Sequence, residues 1–110
     1  MLENDAENQP VLKHVALISF WLSASKQEQQ EILELYQTLA EECGGREAGI
    51  FSLEVRKNLD LRKNMHLVEI AIFRDQDALQ AFRAHHAHHR LTDRLSKCAT
   101  WYTGDFYGSP

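Results

Sequence analysis

The chain has 110 residues and a formal charge of -4 at pH 7, from twelve Lys and Arg against sixteen Asp and Glu. Hydrophobic residues make up 44% and charged residues 25%, which is typical of one ordinary globular domain rather than a disordered protein. No basic stripe with interleaved aromatic residues is present, so we expect no nucleic-acid partner. The longest apolar stretch, residues 15–22, falls far short of the roughly 20 residues that cross a bilayer, so we also expect no membrane partner.

The N-terminal segment and the two cysteines indicate the compartment of the protein. Residues 1–10 are acidic and polar and lack the features of a secretory signal, so we interpret them as a flexible lead to a cytoplasmic protein. Cys43 and Cys98 are far apart and form no C-x-x-C pair, which predicts two reduced thiols rather than a disulfide framework or a thiolate metal site.

The first half of the chain predicts a strand followed by a helix. Residues 12–22 are rich in β-branched and aromatic side chains and are followed by a turn-prone Ser-Ala-Ser. Ser25 and Glu28 form a capping box, and apolar residues then recur at helical spacing until Gly44-Gly45 ends the pattern.

The second half predicts two more strands, a helix and a last strand. Residues 50–56 and 66–73 read as strands, separated by a polar loop. Asp75 is the expected N-cap of a second helix, which the histidine-rich segment 85–89 is expected to bend. Residues 101–107 then form the fourth strand. The order is β-α-β-β-α-β, typical of an α+β, ferredoxin-like fold with a four-stranded antiparallel sheet.

This topology leaves one sheet face without helices. Both helices pack on the same face, and Val15, Leu17 and Trp21 alternate onto the other side of the first strand. An apolar face of this size is unusual in a monomer, so we expect a homodimer that pairs through the open sheet face. The alternative is a monomer with scattered surface hydrophobic residues.

Several segments carry a family resemblance: Lys13–Phe20, Phe73, Ala78-Leu79 and His85–His88. In these residues the chain resembles the stress-responsive A/B barrel (Dabb) family, over about residues 12–106, and residues 11–108 would be its Dabb domain. The resemblance implies a dimeric α+β barrel. One kind of member, a plant polyketide cyclase, catalyses a cofactor-free intramolecular aldol condensation, whereas other members are known only as stress-induced or oligomeric proteins. Family membership alone therefore does not fix an activity.

Four positions match the cyclase pattern, namely His14, Tyr36, His66 and His88. The resemblance implies that His88 is the general base, since a neutral imidazole can remove an acidic proton between two carbonyl groups. By strand phase, His14 and His66 are expected to share the helix-facing side of the sheet and to border the same pocket.

Two positions depart from that pattern, and a structural role competes with catalysis. Phe82 stands where the cyclases have a tyrosine that holds a substrate carbonyl, and a phenyl ring cannot donate that hydrogen bond. His86 replaces the usual proline. His14 and His88 are equally explained as buried hydrogen-bonding residues, and Tyr36 and Phe82, at helical spacing, as core residues.

The histidine cluster, residues 85–89, is also a candidate metal site. His85 and His89 are four residues apart and Asp93 follows after another four, the spacing of ligands on one helix face. A structural site needs a closed set of ligands, and the expected bend breaks the spacing, so a solvated helix surface is preferred and no metal or other cofactor is predicted.

Three functions remain open from the sequence. The first is a cofactor-free, cyclase-like enzyme in which His88, His14, His66 and Tyr36 line a small-molecule pocket. The second is a non-catalytic dimer with structural histidines. The third, an antibiotic-biosynthesis-type monooxygenase on the same barrel, is ranked below both because the H-x-x-H segment favours the Dabb pattern.

Overall fold

Within residues 9–110, four strands and three α-helices follow one another in the order β-α-β-β-α-α-β. The computed structural model describes residues 9–110, so the interpretation of residues 1–10 as a flexible lead falls almost wholly outside the described residues. The elements are β1 (Val11–Phe20), α1 (Lys26–Glu42), a 3₁₀ turn (Gly45–Ala48), β2 (Ile50–Lys57), β3 (Leu67–Phe73), α2 (Gln76–Ala84), α3 (His86–Leu95) and β4 (Ala99–Gly108).

The strands form one antiparallel sheet in the order β2-β3-β1-β4. β1 lies inside the sheet and pairs along its length with both neighbours, so that His14 is opposite Ala71 on β3 and Asp105 on β4. This is the predicted α+β, ferredoxin-like arrangement, and the prediction is confirmed.

Helix α1 begins and ends at the predicted residues. The Ser25 hydroxyl accepts a hydrogen bond from the Glu28 backbone N–H, and the Glu28 carboxylate accepts one from the Ser25 backbone N–H. After the helix, Gly44 adopts φ +104°, and a Cβ atom there would lie 2.8 Å from the Cβ of Ala48. A glycine is therefore required for the chain to turn away from α1.

The second helical region is divided at His85, as the histidine-rich segment predicted. His85 has an extended backbone with φ -70° and ψ 141°, and its Nδ1 accepts a hydrogen bond of 3.1 Å from the Ala87 N–H. The imidazole thus acts as the N-cap of α3. Leu91 and Leu95 then pack into the core, which gives α3 its own buried side.

The two faces of the sheet differ sharply in burial. Side chains that face the helices on β1 and β3 are 7% exposed or less: Leu12, His14, Ala16, Ile18, Phe20, Leu67, Glu69, Ala71 and Phe73. The other side, called the open face below, consists mainly of Val15, Leu17, Val68, Ile70, Ile72, Tyr102 and Phe106. Trp21 lies just past the end of β1, and its indole N–H donates to the Thr100 hydroxyl over 3.1 Å. Among the described helices, none has the length and apolar character that crossing a membrane requires.

Candidate functional site

A cavity of about 480 Å³ lies between the helix-facing side of the sheet and helices α1 and α3. Its lining comes from the sheet and from all three helices, and it includes His14, Tyr36, Glu69, Arg83, His88 and Trp101. We call it the His14–His88 cavity. Three of the four residues that the sequence singled out are therefore brought together.

His14 is the centre of a short chain of ionisable groups. Its ring is 5% exposed, and its Nδ1 lies 2.5 Å from Oδ1 of Asp105, a hydrogen bond that the carboxylate accepts. The other Asp105 oxygen accepts from the Arg83 guanidinium over 3.0 Å. Burial opposes the ionisation of Asp105, but the hydrogen bond and charge of His14, together with Arg83, hold its pKa below the usual value.

Glu69 is the residue that sequence reasoning missed. Its side chain is buried, with 4% of the residue exposed, and its Oε2 lies 3.8 Å from Nε2 of His14. Burial raises the pKa of Glu69, while the charge of His14 and the Tyr36 hydroxyl act in the opposite direction. Burial and then the charge of Glu69 raise the pKa of Tyr36 as well. Glu69 shares a face of the predicted strand with Leu67, Ala71 and Phe73, which are apolar. A carboxylate among such residues is the sequence signal that could have identified it.

His88 reaches the cavity from the first turns of α3. Its edge packs against the Phe82 ring at a centroid distance of 4.8 Å. Burial, followed by the positive charges of His89, Arg83 and His14, lowers the pKa of His88 from 6.5 to about 4. The imidazole is therefore neutral near pH 7 and able to accept a proton.

His66 does not border this cavity, so the expectation that it shares a pocket with His14 is wrong. It precedes β3, in which Leu67 and Glu69 are the helix-facing residues, and its Nδ1 accepts from the backbone N–H of Phe20 over 2.9 Å. His66 thus bonds to Ile18 and Phe20 at the far end of β1. These residues are four and six positions from His14, a distance on the order of 13–20 Å along the strand.

Phe82, His85 and His86 make structural contacts. The Phe82 ring is 2% exposed and packs between Phe73 and His88, at 5.1 and 4.8 Å. It brings no hydroxyl group to the cavity. His85 caps α3 and stacks on His86 at 4.3 Å. Across residues 9–110, no three His, Cys, Asp or Glu side chains are grouped as metal ligands.

The comparisons with known proteins agree with this architecture. A crystal structure from Thermobifida fusca, described as a dimeric ferredoxin-like protein of unknown function, is 13% identical with a TM-score of 0.76, covering 88% of this chain and 90% of that one. A Dabb family protein with a ferredoxin-like fold from Mesorhizobium loti is 17% identical with a TM-score of 0.69, covering 89% and 96%. SnoaB, a cofactor-independent oxygenase from Streptomyces nogalater, is 18% identical with a TM-score of 0.68, covering 89% and 92%.

The sheet order and the helix positions define a ferredoxin-like α+β protein. Residues 12–107 match the family described as "Stress responsive A/B Barrel Domain" (Dabb), and the chain belongs to this family, as its residues indicated. No curated protein sequence matches it.

Proposed function

We propose that the His14–His88 cavity binds a small enolisable dicarbonyl compound and that His88 removes its acidic proton without a cofactor. The observation that carries this proposal is the convergence of a neutral imidazole, a guanidinium, a second histidine and a buried carboxyl on one cavity of about 480 Å³. Cavities of this size suit small-molecule ligands.

The chemistry requires a base and a group that stabilises the enolate. His88 takes the proton from the carbon between two carbonyl groups, and the electron pair of the broken C–H bond moves onto a carbonyl oxygen. Because the pKa of His88 is about 4, it is a weak base, which favours substrates whose carbon is already acidic. Phe82 has no donor for the enolate, so Arg83 and His14 are the N–H groups that take this role.

Exchange of the proton between the carbonyl groups tests the proposal directly. Wild-type protein should accelerate H/D exchange of ethyl acetoacetate above the buffer rate, measured by NMR in D₂O. His88→Asn should reduce this acceleration by roughly a hundredfold or more, the usual contribution of a general base. His86→Ala, an exposed histidine on the same helix that does not line the cavity, is the matched control and should leave it unchanged.

Three results bear on the alternatives. If the folded wild-type protein does not accelerate H/D exchange of ethyl acetoacetate, the proposal is refuted. Equal exchange rates with His88→Asn and His86→Ala would also refute it. Thermal melting of each variant separates a loss of chemistry from a loss of folding. Oxygen uptake with an electron-rich phenolic compound in the same cavity would favour the oxygenase alternative, to which the similarity with SnoaB draws attention.

We further propose that a second copy of this chain covers the open face. Ile70, Tyr102 and Phe106 are 49%, 60% and 54% exposed on that face, and three structurally similar proteins are described as dimeric. Burying the remaining half of each side chain contributes about 1 kcal/mol, and two-fold symmetry doubles every contribution. Three such residues therefore contribute about 6 kcal/mol to association, before other contacts are counted.

Sedimentation velocity tests this assembly. Ile70→Lys removes about 2 kcal/mol over two copies and places two ammonium groups in an apolar interface, so the dimer dissociation constant should rise at least thirtyfold or so. Leu59→Lys is the control, since Leu59 is 98% exposed in the β2–β3 loop, away from the sheet. A wild-type monomer at micromolar concentration, or equal dimerisation of both variants, would contradict the proposal.

A further inference from the structure

Two adjacent cavities lie at the end of β1 that is remote from the His14–His88 cavity. One has a volume of about 360 Å³ and lies beside Trp21 and Asn64; the other has about 220 Å³ and lies beside Leu61 and Lys57. Both are lined by Phe20, Gln29 and His66. The His66 imidazole therefore stands between them, and we call the pair the His66 site.

The orientation and tautomer of His66 are fixed by its neighbours. Its backbone N–H donates to the Ile18 carbonyl over 2.7 Å, and its carbonyl accepts from the Asn58 N–H over 2.9 Å. Its Nδ1 accepts from the Phe20 N–H over 2.9 Å, which requires a lone pair on Nδ1. A neutral imidazole bonded in this way carries its proton on Nε2, and no hydrogen bond within residues 9–110 uses that group.

The loop that borders the smaller cavity is held in place without a ligand. The Asn58 side-chain amide donates to the carbonyl groups of Asp60 and Met65 over 2.6 and 2.8 Å. Its Oδ1 accepts from the Asp60 N–H over 3.2 Å. These bonds hold Leu61 beside the cavity although the residue is 58% exposed, an arrangement that leaves an apolar wall facing solvent.

We propose that the His66 site binds an aliphatic monocarboxylate of medium chain length. The carboxylate accepts hydrogen bonds from Nε2–H of His66 and from the Lys57 ammonium group. The hydrocarbon chain lies against the apolar wall formed by Phe20, Leu33 and Leu61. A ligand with a charged head and an apolar tail matches both parts of this lining, whereas a purely polar or a purely apolar ligand matches one.

The number of non-hydrogen atoms in the ligand sets the expected affinity. Octanoate has about ten non-hydrogen atoms, and the binding energy that small ligands typically gain per atom gives a Kd on the order of 1–10 mM. This proposal is independent of the enolisation proposed for the His14–His88 cavity, because the two sites share none of their lining residues.

Octanoate binding to the 110-residue chain is measured by titration of ¹H–¹⁵N NMR spectra. We expect saturable shifts of the amide signals of Phe20, Leu61 and His66. Leu61→Ser should weaken binding about tenfold, because it removes most of one apolar wall. Leu59→Ser is the matched control in the same loop: Leu59 is 98% exposed and does not line the site, so its affinity should equal that of wild type.

A second variant tests the donor on His66. In His66→Asn the side-chain oxygen takes the place of Nδ1 and still accepts from the Phe20 N–H, but no donor remains at the Nε2 position. Octanoate should bind this variant about tenfold more weakly. If His66→Asn does not fold, the comparison of Leu61→Ser with Leu59→Ser decides the question on its own.

Several outcomes would overturn the inference. Shifts that do not saturate at tens of millimolar octanoate would exclude a defined site. Equal affinity of Leu61→Ser and Leu59→Ser would place the ligand elsewhere, as would shifts centred on His14 and His88. Octan-1-ol that binds as tightly as octanoate would remove the argument for carboxylate recognition.

Discussion

The contact between His14 and Glu69 yields a prediction about stability that does not depend on any ligand. Both residues are buried, at 5% and 4% exposure, and Nε2 of His14 lies 3.8 Å from Oε2 of Glu69. His14→Ala removes the imidazole that faces a carboxyl with almost no contact with water. We expect the loss of stability to depend strongly on whether Glu69 is present.

The magnitude follows from three contributions. The hydrogen bond from His14 to the charged Asp105 is worth about 1.5–3 kcal/mol, and the lost ring packing adds about 1 kcal/mol. Nε2 of His14 and Oε2 of Glu69 are 3.8 Å apart, and residues in such contact typically couple by about 0.5–3 kcal/mol. Glu69 escapes part of that loss by taking up a proton, because burial raises its pKa. We therefore expect about 4–6 kcal/mol for His14→Ala, of which about 1–2 kcal/mol is coupling to Glu69.

Urea unfolding at pH 7 of wild type, His14→Ala, Glu69→Gln and the double variant gives this coupling as a double-mutant cycle. The decrease in the free energy of unfolding caused by His14→Ala should be about 1–2 kcal/mol smaller in the Glu69→Gln background than in wild type. His86→Ala removes an exposed histidine and should stay within about 0.5 kcal/mol of wild type. Additivity of the two substitutions to within about 0.5 kcal/mol would refute the electrostatic argument.

Three further predictions concern pH and helix capping. The pKa of His88 is about 4 in the folded chain and 6.5 in the unfolded one, so stability should be lost as the pH falls from 6.5 to about 4. For a fully enclosed ring, the pH-dependent part of the free energy of unfolding would be about 3 kcal/mol, and the partial exposure of His88 reduces it to about 1–2 kcal/mol. Urea unfolding of wild type and of His88→Asn at several pH values measures this difference. Glu69 acts in the opposite sense: its raised pKa means that stability falls as the pH rises above 4.5 through the folded pKa, and Glu69→Gln should flatten this slope. Ser25→Ala should destabilise the protein by about 1 kcal/mol in thermal melting, and an equal effect of Ser23→Ala, outside the capping box, would contradict that role.

Local signals in the sequence were sufficient to predict the helices and strands of the fold. The capping box at Ser25, the glycine pair at Gly44 and the break at His85 each depend on residues within one or two helical turns. The open face followed from the alternation along β1, which needs only the period of a strand.

The site was harder to predict because its contacts are distant in sequence. His14 and Asp105 are 91 residues apart, and their bond depends on the register of β1 with β4. Glu69 lies in the segment 66–73, which the sequence predicted as a strand, but it was not recognised as a buried partner of His14. His66 was misplaced because it precedes β3, where strand phase alone does not fix the direction of a side chain.

The break at His85 also constrains how the family fold can vary in this protein. Arg83 and His88 reach the cavity from the two helices on either side of the break. Inserting or deleting one residue there would turn every side chain of α3 by about 100° relative to α2. Such a change would carry Leu91 and Leu95 out of the core together with His88. Length changes at this point should therefore be far less tolerated than substitutions of the exposed His86.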